Sequence, residues 1–182
     1  MSETKRTPKE RAAQFVGALR RACDDRGKRA ALRRGLSPAT VMDAWPVIAS
    51  IGGDIGQPGE SVFVDIAALF ASHSEESKDR NFGETCRRIA QDDGKEIPDS
   101  FDRRFRRLLA CDDVADVAGQ LRSWVRLAAS RNVSVNYEGL FADLWNWPWY
   151  ADNIRVKWAR SFWQSGDLTP ETPTVNLSPA AA

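Results

Sequence analysis

Residues Ser100–Ala110 read SFDRRFRRLLA. Wound at about 100° per residue, this stretch gathers Phe101, Phe105, Leu108 and Leu109 on one side of a helix. Arg103, Arg106 and Arg107 fall on the opposite side, with Arg104 flanking them. The reading is an amphipathic helix with a guanidinium stripe. Such a stripe on a rigid rod suits phosphates, because Arg forks grip them in bidentate fashion. A solvated outer face is the plainer alternative.

The pattern recurs in both directions along the chain. Arg29 and Arg33 are i, i+4 neighbours, flanked by Arg34. Arg122 and Arg126 repeat the spacing, and the last helical stretch adds Arg155, Lys157 and Arg160. Like charges at i, i+4 repel by a few tenths of a kcal/mol. A sequence that accepts this repulsion three times points to an anionic partner. Solvated faces and internal Arg–carboxylate bridges are the competing explanations.

The intervening segments also read as helices. Thr7-Pro8 supplies a cap and a first-turn proline for a helix over about 8–24, with Phe15, Val16, Leu19 and Cys23 on its apolar stripe. Gly27 punctuates, and Lys28–Arg34 is a short basic helix ended by Gly35. Ser37-Pro38 opens a helix carrying Val41, Met42, Trp45 and Ile48, which Pro46 kinks or divides. Residues 52–60 form a flexible loop, and Ser61 caps a helix to Ser72. Helices follow over 82–92 and 100–110, then from an Asp112 or Asp113 cap to about Asn132. A helix over about 136–144 precedes an aromatic turn, WNWPWY, and Asp152 or Asn153 caps a last helix to Trp163. Strand signals are weak, with Val133–Val135 the one β-like patch. The sum is an all-α bundle of about eight or nine short helices over 8–163. A flexible start over 1–7 and a disordered Pro/Thr/Ala-rich tail over 164–182 flank it. The polar run at 74–81 is where two helical lobes would divide; one shared core is the other arrangement.

The formal net charge is +1, but it is unevenly spread. Residues 5–34 hold eleven Lys/Arg against three Asp/Glu, whereas residues 35–79 hold one against seven. A local basic patch can bind a polyanion whatever the total charge. Twenty of the 26 basic residues are Arg, a bias that phosphate recognition and GC-rich coding each favour. The polar start predicts no signal peptide, and no apolar run approaches the roughly 20 residues of a membrane span. The expected location is cytoplasmic, with no membrane partner.

Enzyme readings find no support. His73 is the lone histidine, and it stands in the polar run SHSEESKDRN, which reads as a surface connection. Hydrolase and metalloprotease motifs are missing, and the glycines of 52–59 lack the GK[ST] ending of a phosphate-binding loop. Asp92-Asp93 and Asp112-Asp113 sit at helix boundaries, where capping accounts for them. Cys23, Cys86 and Cys111 are odd in number, form no CxxC, and read as buried free thiols. No catalytic residue, metal or cofactor is expected. Trp145, Trp147 and Trp149 alternate around Pro148; exposed they would stack on bases, and buried they would pack the last helix. Core is the preferred reading for most of them.

Three stretches in this order, GKRAALRRG (27–35), DRRFRRLLACDDVADVAGQLRSWVRLA (102–128) and IRVKWARSFW (154–163), resemble the small subunit of the type I-E CRISPR Cascade complex, the CasB family. The likeness spans about residues 8–163. It implies a non-catalytic all-α subunit, present as a head-to-tail pair, that contacts the backbone and large subunits. It further implies contact with CRISPR RNA and target DNA, stabilising the R-loop in antiviral defence. Carried over by position, the nucleic-acid-binding candidates are Arg33, Arg34, Arg103, Arg104, Arg107, Arg122, Arg126, Arg155, Lys157 and Arg160; Arg29 joins them from the helical pattern. The rival is a protein adaptor whose Arg stripes meet acidic neighbouring subunits.

Overall fold

A computed structural model describes residues 7–91 and 96–164. Among them are eight α-helices: α1 Pro8–Cys23, α2 Arg26–Arg33, α3 Trp45–Ser50, α4 Glu60–Ser72, α5 Phe82–Ala90, α6 Asp99–Leu109, α7 Val114–Ser130 and α8 Tyr137–Trp163. Two 3-10 turns, Arg34–Leu36 and Val41–Asp43, join α2 to α3. The β-like patch makes a single bridge, Glu76 to Val135. The molecule is all-α, as the periodicities predict. The tail read as disordered lies beyond the described residues, apart from Gln164.

Helix α4 is the axis of the fold. Every residue from Val62 to Ala71 is buried, so it has no wet face, the mark of a helix enclosed by others. Helices α1, α2, α3, α7 and α8 pack around it. Phe15 of α1, Phe63 of α4 and Phe141 of α8 meet at 4.8–5.8 Å between ring centroids. At the other end of α8, Phe162 stacks on Phe105 at 3.9 Å. One apolar cluster runs through residues of every α-helix.

Several boundaries differ from the periodic reading, each for a local reason. Helix α2 starts at Arg26 rather than Lys28, because Asp25 caps it by accepting the Lys28 N–H at 3.0 Å. Ser37-Pro38 opens no α-helix; the chain makes 3-10 turns until Pro46, which sits in the first turn of α3, where its fixed φ is compatible and its missing N–H costs nothing. Ser61 is not the cap of α4. Gly59 is, with a left-handed φ of 93° against the Trp145 ring.

The aromatic turn is the largest correction. WNWPWY is helical, and α8 runs from Tyr137 to Trp163 with one non-helical residue, Tyr150 (φ −132°, ψ 25°). Pro148 removes one N–H and crowds the preceding turn, which bends the helix without ending it. Contacts on both sides of the bend hold the two halves together. Asp143 accepts hydrogen bonds from Lys157 Nζ and, at 2.8 Å, from Trp158 Nε1. Trp147 is buried and Trp145 half-buried, whereas Trp149 and Tyr150 are exposed. His73 is buried, and its Nε2–H donates to Val133 O at 2.8 Å.

Candidate nucleic-acid interface

The eleven predicted basic residues separate by what their side chains already hold. In α2, Arg29 and Arg33 both donate Nε–H to the Ala71 carbonyl, at 2.9 and 2.8 Å. Ala71 lies in the last turn of α4, whose carbonyls carry the negative end of the helix dipole. The i, i+4 repulsion that looked like a sign of an outside anion is thus relieved inside the fold. Arg34, exposed, pairs with Asp43 at 2.8 Å.

In α7, Arg122 donates to Leu36 O at 2.6 Å and reaches Asp65 at 3.4 Å. In α8, Arg155 donates to Cys111 O at 2.5 Å, Asp152 at 2.8 Å and Asp112 at 3.4 Å, and lies over the Trp147 ring. Trp147 Nε1–H donates to Asp112 O. Together these clamp the bent helix to the α6–α7 connection. Lys157 is held by Asp143. These six side chains build the fold, whatever else they touch.

The Arg-rich stretch of α6 is different. Arg103, Arg104 and Arg107 of α6 line one groove of about 320 Å³ with Ser100, Phe101 and Leu127. Arg104 lies over the Trp124 ring, 6.0 Å from its centroid. Arg103 and Arg107 are exposed, and neither side chain makes a hydrogen bond or ion pair among the described residues. Arg126, next to Leu127 on α7, is exposed and likewise unpaired. Arg160 is the fourth such side chain; it lines a separate groove with Asn81, Asn153, Val156, Lys157 and Ser161. The α6–α7 groove and the α8 groove share no lining residue. Folding therefore gathers the α6 arginines beside α7 and leaves Arg160 on a second track.

Three basic residues escaped the sequence reading. Lys9, Lys78 and Arg80 line a groove of about 400 Å³ with Lys157, next to Arg160's groove through shared Asn81. They come from α1 and from the connection between α4 and α5, so no helical period marks them. Acidic Asp79, Glu138 and Asp143 share that lining, and it is less cationic than the α6–α7 surface. Arg106, on the predicted stripe, pairs with Asp102 at 2.7 Å and stacks on Trp163 at 5.0 Å. The Arg106 hydrogen bond first, and then that from Trp163, hold the Asp102 carboxyl below the usual carboxylate range. No group of three His, Cys, Asp or Glu that would hold a metal occurs among the described residues. No helix there is long and apolar enough to cross a membrane.

A family model described as CRISPR-associated protein Cse2 matches residues 28–163. No curated protein matches the chain. Among solved structures, the fold is similar to CasB from Thermus thermophilus, with a TM-score of 0.69 at 25% identity, covering 88% of this chain and 100% of that one. It is also similar to a CRISPR-associated protein of the Cse2 family from the same organism, with a TM-score of 0.70 at 26% identity and the same coverage. A chain of a CRISPR RNA-guided surveillance complex shares the fold at a TM-score of 0.68 and 22% identity, over 85% of this chain and 92% of that one. The family match begins inside α2 and ends on the last residue of α8, taking in both arginine-bearing grooves, and on that match the chain belongs to the Cse2 family of CRISPR-associated proteins.

Proposed function

We propose that this chain is a non-catalytic subunit of a type I-E CRISPR RNA-guided surveillance complex, and that it holds nucleic-acid backbone on its α6–α7 surface. The partners are the backbone and large subunits, a second copy of the chain, CRISPR RNA and target DNA. The observation that carries the reading is the unpaired state of Arg103, Arg107 and Arg126 on adjacent helices, in a protein that uses many of its other arginines internally. An exposed guanidinium without a carboxylate is available to phosphate oxygens. Arg160 supplies a further contact along α8. Arg29, Arg34, Arg122, Arg155 and Lys157 act mainly by positioning these helices, and Arg33, exposed beside Arg29, retains free terminal N–H groups for a phosphate.

The reading fits a protein that grips backbone without reading bases, since base pairing to the guide carries the sequence. R-loop formation is nearly balanced in energy. At about 1 kcal/mol per net charge-assisted contact, three or four arginines shift it by two or three decades. The test is Arg103→Glu with Arg107→Glu in the reconstituted complex. Gel filtration should show an intact assembly, and mobility shift should show target DNA held at least tenfold more weakly. Loss of assembly with the double variant would instead establish the adaptor reading.

A further inference from the structure

An enclosed acidic side chain lies away from the free arginines, on α4. Asp65 is 7% exposed, on a helix otherwise apolar from Val62 to Ala71. Its contact with Arg122 is long, 3.4 Å, at the weak edge of hydrogen bonding. Arg122 gives its better hydrogen bond, 2.6 Å, to Leu36 O. The other Asp65 oxygen has no hydrogen-bond partner among the described residues. Arg122 Nε is also buried without a partner. Desolvation raises the Asp65 carboxyl above the ordinary range more than Arg122 lowers it.

This carboxylate opens into a pocket. The cavity measures about 520 Å³, with Pro38, Val41 and Val64 among its apolar lining and Gln57, Glu60, Ser61 and Arg122 among its polar residues. That size falls within the roughly 300–1,000 Å³ range of built binding sites. Glu60 is anchored by the Gly56 N–H at 2.6 Å, which fixes a second carboxylate in the lining. Met42, next to Val41, is 63% exposed and leaves an apolar residue beside the pocket. The surrounding stretch, 35–79, carries one Lys against seven Asp and Glu.

We infer that this pocket receives an arginine or lysine side chain from a partner protein, its cationic head meeting Asp65 and its stem lying against Val41, Val64 and Pro38. Asp65 and Glu60 outnumber Arg122, the one cation in the lining, so the pocket favours a cation over a phosphate. A cationic side chain supplies the donor that the second Asp65 oxygen lacks. Its aliphatic stem fits the apolar walls, as long basic side chains do elsewhere. Arginine is among the residues enriched at energetically dominant interface positions, where charge pairs become desolvated on docking. The site carries the opposite sign to the α6–α7 groove, and its role does not depend on nucleic-acid binding.

The test uses the peptide acetyl-Gly-Arg-Gly-amide against its neutral citrulline counterpart, followed by amide NMR of the whole chain. The arginine peptide should shift Ser61, Val64 and Asp65 with saturation, and citrulline should bind at least tenfold more weakly. Asp65→Asn should weaken the arginine peptide at least tenfold. Ser61→Phe, at an exposed position in the pocket wall, fills the space without touching the buried carboxylate and should do the same if the pocket is the site. Arg103→Glu with Arg107→Glu should leave binding unchanged. Equal response to citrulline, no shift at those three amides, or perturbation of the same amides by an oligothymidylate would overturn the assignment.

Discussion

Asp102 accepts hydrogen bonds from Arg106 and Trp163, each at 2.7 Å. Its native carboxyl binds protons more weakly than in the unfolded chain. The stability it contributes is therefore full above the unfolded carboxylate range and is lost as pH falls through the native value. Urea midpoints followed from pH 6 to pH 3 should fall more steeply for the native protein than for Asp102→Asn. The difference should be a few tenths to about 1 kcal/mol, because the pair is exposed. Asp65 has the opposite sign. Its raised carboxyl means that the native state holds its proton more tightly, so stability declines as pH rises from the unfolded to the native value. Arg122→Leu should exaggerate that decline and cost about 1–3 kcal/mol near neutrality in urea unfolding. At this scale the sequence was a partial guide. The i, i+4 arginines of α2 were legible as a pair, but nothing in GKRAALRRG reveals the Ala71 carbonyl 38 residues beyond Arg33 that both occupy. Local charge patterns show where cations stand, and only the fold shows what they already bind.

Helix α5 lies against α8 with no clearance at Gly83. A Cβ there would sit 2.0 Å from the Trp158 carbonyl oxygen. Gly83→Ala should cost about 3 kcal/mol or more in chemical denaturation, since the obstacle is backbone and a whole helix must move. Within α8, Asp143→Ala removes the acceptor of the buried Trp158 Nε1 and the partner of Lys157. It should cost about 2–3 kcal/mol in the same assay, the range for orphaning a buried donor. The element boundaries that the sequence announced were those with side-chain caps, such as Thr7 for α1 and Asp113 for α7. Of those it concealed, the start of α2 rests on the local Asp25 cap, and the others depend on tertiary contacts. Pro148 reads as a stop in isolation, yet Asp143, Trp147 and Arg155 hold the chain helical across it. The start of α4 rests on Gly59 in a left-handed conformation, although Ser61 is the more conspicuous capping residue in the sequence.

Across the whole molecule, the unpaired arginines of α6 and the Asp65 pocket on α4 occupy different grooves. Binding of single-stranded DNA through Arg103, Arg107, Arg126 and Arg160 should be indifferent to sequence. The logarithm of affinity should fall against that of salt with a slope of about −3, near 0.7 per phosphate contact. Each Arg→Ala should flatten the slope by about 0.7, which titrations at four salt concentrations would resolve. The all-helical class was readable because periodic apolar residues recur along nearly the whole chain. The convergence of Arg103, Arg104 and Arg107 was readable from a single helix, whereas the grouping of Lys9, Lys78 and Arg80 was not, since it joins α1 to the distant α4–α5 connection. The enclosure of α4 has an evolutionary corollary. A rod without a solvent side has nowhere to accept neutral drift, so saturation mutagenesis scored for folding alone should find its permitted alphabet the narrowest in the protein, and that of the outward half of α6 among the broadest.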